Sequence, residues 1–123
     1  MTESQRILIV EDNIETAEML NAYLEAQGYG VITAAWGEDA LRITKETLPD
    51  LVILDIRLPD IDGYEVCRRL RSHRRTERIP IIFLTERRER VDRLAGLELG
   101  AVAMLDRLPG LREALQAGRG SEG

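Results

Sequence analysis

Two acidic residues, Glu11 and Asp12, directly follow the apolar run ILIV (7–10), and a third, Asp55, directly follows LVIL (51–54). A carboxylate delivered by a buried strand costs free energy unless its charge is compensated. Three such groups in one place raise one another's pKa and favour a shared proton, unless a cation sits between them. Hard oxygen donors with room for water and phosphate oxygens suit Mg²⁺, and a loop carbonyl just past Asp55 is a further donor. Thr85 ends the run PIIFL (80–84) and Arg107 follows AVAML (101–105), which places a hydroxyl and a cation at the same edge. Taken singly, the acids complement helix N-termini, Thr85 is a strand-end cap and Arg107 a solvated loop residue. Together they make a pocket for a tetrahedral anion. A carboxylate in that pocket can attack phosphorus and form an acyl phosphate, so Asp55 is the candidate phosphoacceptor.

The elements that must position these groups are legible as apolar runs of strand length: the four just quoted and VITAA (31–35). Between them apolar residues recur at helical spacing: Ile14, Ala17, Leu20 and Leu24, then Val66, Cys67 and Leu70, then Val91, Leu94 and Leu97. Gly37 opens the second helix, LPD (48–50) stops it, and Gly63 after the turn-forming DID opens the third. Alternating β and α units with uniformly apolar strands predict a doubly wound α/β fold, a parallel sheet with helices on both faces. The order 2-1-3-4-5 places strands one and three side by side, and ligands then sit beyond their carboxyl ends. Glu11, Asp12 and Asp55 meet there.

A chain of 123 residues, 44% hydrophobic, suffices for one core. Residues 1–117 read as a single domain and 118–123, GRGSEG, as a flexible tail. The net charge of -5 argues against a nucleic-acid binder, so the basic stretches 67–78 and 86–93 read as solvated helix faces. The single cysteine, Cys67, excludes an internal disulfide and reads as a half-buried helix residue, and the single histidine, His73, as an exposed one without a role. The polar start and the absence of a long apolar run indicate a cytoplasmic protein.

The stretches ILIVEDN (7–13), YLEAQGYGVITAAWGEDAL (23–41), PDLVILDIRLPDIDGYEVCRRLR (49–71), IPIIFLTE (79–86) and AGLELGA (95–101) make the chain resemble a bacterial two-component response regulator receiver domain of the CheY-like type. The resemblance implies that Asp55 is the phosphorylation site, that Glu11 and Asp12 are the acidic metal pair, and that the Arg57 backbone carbonyl completes the Mg²⁺ shell. Thr85 is then the switch hydroxyl. Implied partners are a sensor histidine kinase or phosphotransfer protein and a downstream protein effector, with no direct nucleic acid and no membrane. A homodimer through the face of helix four, strand five and helix five belongs to the same expectation.

The departures gather near the end of the chain. Arg107 stands where the family has lysine, and Pro109 is displaced by one residue. Lys45 is the single lysine among 17 basic residues, so the exchange reads either as composition or as function. Met104 occupies the position of the switch aromatic, and the last helix is short, GLREALQA (110–117). These changes keep a second reading open, a receiver-like interaction module independent of phosphorylation. A phosphatase of the haloacid dehalogenase type is disfavoured because Arg57 stands where its second acid is required. On either reading the domain is a switch or module and not an enzyme.

Overall fold

The computed structural model describes residues 5–84 and the backbone of 103–105. The strands are β1 (Arg6–Val10), β2 (Gly30–Ala34), β3 (Leu51–Asp55), β4 (Ile81–Leu84) and β5 (Ala103–Leu105); the helices are α1 (Ile14–Ala26), α2 (Gly37–Thr47) and α3 (Gly63–Arg71). The sheet is parallel, in the order β2-β1-β3-β4-β5. That is the expected order, and it makes β1 and β3 neighbours, with Val10 opposite Leu54.

Strand residues alternate between two apolar layers, because successive side chains point to opposite faces. Leu8, Val10, Val52, Leu54, Ile81 and Phe83 pack with Ala40 and Leu41 of α2 and with Val66, Cys67 and Leu70 of α3. Ile7, Ile9, Leu51, Ile53 and Ile82 pack on the other face against Leu20 and Leu24 of α1. Helices therefore cover both faces, and strands buried on both sides need the near-continuous apolar runs seen in the sequence.

Most boundaries lie within a residue or two of the sequence reading, and two helix residues depart from it. Ile14 is 72% exposed: it is the first residue of α1, ahead of the stripe that Leu20 and Leu24 bury. Cys67 is fully buried, since α3 turns its whole apolar stripe onto the sheet.

Two helices that start at the carboxyl edge, α1 and α3, are capped by the residue before them. Asn13 accepts from the Thr16 amide at 2.9 Å to begin α1, and Asp62 accepts from the Glu65 amide at 2.8 Å to begin α3. The link from α3 to β4 is pinned by Thr76, whose buried hydroxyl donates to the Leu70 carbonyl at 2.7 Å. Arg71 donates to the Ile79 carbonyl at 2.8 Å in the same link. His73 lies within it half-buried, its Nδ1 accepting from the Arg75 amide at 3.3 Å. It is less exposed than the sequence suggested.

Candidate functional site: an acidic cluster between β1 and β3

The chain leaves β1 at Val10 and enters α1 at Ile14, so Glu11 and Asp12 occupy a short turn that Asn13 closes by capping the helix. The Glu11 amide donates to the Ala34 carbonyl at 2.9 Å, which holds the turn to the end of β2. Asp55 is the last residue of β3, opposite Leu84 of β4 and one residue beyond Leu54, which faces Val10 of the neighbouring β1. Carboxylate oxygens of Glu11, Asp12 and Asp55 all lie within 4.8 Å of one another. The three acids expected to converge do converge.

Their environments differ. Glu11 is buried, Asp55 half-buried and Asp12 exposed. Burial pushes the Glu11 carboxyl up to about 8; the Asn13 amide, donating at 3.0 Å, opposes this, while Asp55 and Asp12 push it further. Such a group holds its proton at neutral pH unless a cation replaces it. The Asp55 carboxylate is oriented by the Arg57 amide, which donates to its Oδ1 at 3.2 Å. Arg57 thus contributes a backbone N–H hydrogen bond that the sequence reading did not anticipate.

Beyond Asp55 the chain makes a closed loop, with the Gly63 amide donating to the Ile56 carbonyl at 2.7 Å. A Cβ on Gly63 would stand 2.9 Å from Ile56 Cα and would collide with the Asp55 carbonyl oxygen. Glycine is therefore required where α3 begins against the end of β3. On the other side of the acids, Glu11, Asp12, Ala17, Asn21, Thr33 and Ala34 line an open groove of about 290 Å³. Among the described residues, Asn21 Oδ1 is buried there without a hydrogen-bond partner.

Met104 lies in β5, its backbone opposite Phe83 of β4. Thr85, Arg107 and the helix expected at 110–117 lie outside the described residues, so the structure assembles the acidic half of the expected pocket.

A five-stranded parallel sheet with an acidic cluster at the carboxyl end of its central strands defines a receiver-type α/β domain. The chain belongs to the response regulator receiver domain family, whose pattern matches residues 7–117. It is 48% identical over 95 residues to the transcriptional regulatory protein AfsQ1 of Streptomyces coelicolor, covering 77% of this chain and 41% of that protein. To the phosphate regulon transcriptional regulatory protein PhoB of Rhizobium meliloti it is 47% identical over 96 residues, covering 78% and 42%. The chain therefore spans about two fifths of the length of these curated relatives. Among solved structures, the receiver domain of sensor histidine kinase PA1611 from Pseudomonas aeruginosa PAO1 superposes with a TM-score of 0.86 at 34% identity, covering 96% of this chain and 99% of that one. In that domain a magnesium ion is coordinated in the active site cleft.

Proposed function

We propose that this receiver domain is a phosphoacceptor switch: it takes a phosphoryl group from a histidine kinase or phosphotransfer protein onto Asp55, with Mg²⁺, and is read by a downstream protein. The observation that carries the reading is the cluster of Glu11, Asp12 and Asp55, built at the end of two adjacent strands with oxygen atoms close enough to share one ion. The donor set fits Mg²⁺: hard carboxylates, one of them kept protonated by burial and repulsion that a cation would relieve. Glu11, Asp12, Asp55 and the Arg57 carbonyl would hold the ion, which when bound supplies positive charge to the phosphoryl oxygens.

The chain's own residues do the rest. The Arg57 amide holds one oxygen of the Asp55 carboxylate, the attacking group. Its attacking oxygen forms the O–P bond as the donor's N–P bond breaks, with the leaving electron pair taken by the imidazole nitrogen. Thr85 and Arg107 receive the transferred phosphoryl oxygens in this reading, Arg107 replacing an ammonium with a planar fork. The added charge then favours one of two conformations, and Met104 fills the place of the family's switch aromatic. Output passes through protein contacts, including pairing of two copies, and the domain works in the cytoplasm without product chemistry of its own.

The test is Mg²⁺-dependent phosphorylation by a small-molecule phosphodonor, read by intact mass on the wild type and on Asp55→Ala. A gain of one phosphoryl mass in the wild type alone supports the switch. No gain in folded, Mg²⁺-binding protein rejects it.

A further inference from the structure

The first turn of α2 lacks a cap of its own. Its N-cap is Trp36, whose backbone is extended and whose side chain makes no capping bond, since an indole is a donor only. The leading amides of a helix nevertheless need acceptors. They find them in the loop that follows Asp55: Asp60 Oδ1 accepts from the Gly37 amide at 2.8 Å and Oδ2 from the Glu38 amide at 2.9 Å. Burial works against the Asp60 charge, but the backbone amides of Glu38, Gly37 and Ile61 outweigh it and hold the carboxyl below its ordinary range.

Packing enforces the same junction. A Cβ on Gly37 would stand 2.5 Å from Ile61 Cγ1, so a bare backbone lets the loop settle onto the helix. Beyond it, Arg69 of α3 bonds Glu38 at 3.2 Å and Glu65 at 2.8 Å. The loop is thus closed at its root by Gly63 and Ile56 and hooked at its tip to α2, with Arg57 between the two attachments.

We propose that Asp60 is a positioning residue for the metal site: by hooking the loop to the N-terminus of α2 it fixes the Arg57 carbonyl where the acidic cluster can use it. A helix cap alone could come from position 36; here the acceptor comes from the loop that bears the candidate ligand. The inference rests on the reading of Arg57 as a Mg²⁺ ligand given above.

Calorimetric titration of the full chain with MgCl₂ tests it, on the wild type, Asp60→Ala, Asp60→Asn and a control, Asp50→Ala. Asp50 accepts from the Arg6 amide at 2.8 Å where β1 begins, at the opposite edge of the sheet, so its loss is structural only. Asp60→Ala is expected to weaken Mg²⁺ binding on the order of tenfold, as loss of an outer-shell partner does. Asp60→Asn, with one acceptor oxygen for two amides, falls between, and Asp50→Ala lowers the melting temperature without changing Mg²⁺ affinity. Unchanged affinity in both Asp60 variants, or an equal loss in Asp50→Ala, overturns the proposal. Where Asp60→Ala does not fold, Asp60→Asn carries the comparison. Failure of the metal-site reading itself shows elsewhere: the wild type does not bind Mg²⁺, or binding survives Asp55→Ala, and the role of Asp60 falls with it.

Discussion

The Gly63 amide donates to the carbonyl of Ile56 at 2.7 Å, so the chain returns to the end of β3 before it enters α3. There is no room for a side chain at that return. Gly63→Ala is expected to cost about 1–3 kcal/mol, the usual range for overpacking a tight site. Urea denaturation measures the loss, and because the added methyl presses on Asp55 and Ile56, Mg²⁺ binding should weaken in the same variant.

Glu11 gives a pH-dependent expectation of definite sign. Its folded pKa, about 8, lies above its ordinary value, so the native state keeps a proton that the unfolded chain releases. The associated stability is present below the ordinary carboxylate range and is lost as pH rises through about 8. Metal-free Glu11→Gln should therefore melt above the wild type at pH 9, with the gap narrowing toward pH 5. Addition of MgCl₂ should raise the wild-type melting temperature and leave that of the variant nearly unchanged. Thermal scans at both pH values, with and without Mg²⁺, check all four corners.

Asn21 is a site where the fold forgoes stability beside the acidic cluster. Its Oδ1 is buried without a partner among the described residues, and leaving an acceptor unsatisfied costs about 1–3 kcal/mol. Asn21→Leu, of similar shape, is expected to raise stability by about 1 kcal/mol. A rise in the urea midpoint at constant slope is the confirming result.

Thr76 closes the link into β4. Thr76→Val keeps the shape but leaves the Leu70 carbonyl short of its donor, at a cost of about 1–2 kcal/mol. Faster amide exchange confined to the end of α3 and the start of β4 would locate the effect.

Much of this architecture could be read from pattern alone, because strands buried on both faces must be apolar throughout and therefore stand out. LVIL (51–54) announces β3 and, by its end, Asp55. The convergence of Glu11, Asp12 and Asp55 then followed from strand order. Helical spacing alone cannot say where burial begins along a helix: Ile14 shares the period of Leu20 and Leu24 and is exposed. The hook of Asp60 is not legible in the sequence, because its partners lie 22 and 23 residues away and PDID has the composition of an ordinary turn. A signal was nonetheless present: Trp36 before a helix opened by glycine is a start without a capping side chain, and some other acceptor had to serve it.

The parallel pairing of β1 with β3 also fixes when the site comes into being. Glu11 and Asp55 are separated along the chain by α1, β2 and α2, so the acidic cluster is a product of non-local contacts, which form slowly compared with helices and turns. No early folding intermediate that lacks this pairing carries the cluster. A chain that has not yet paired β1 with β3 therefore has no assembled acidic cluster to offer a cation.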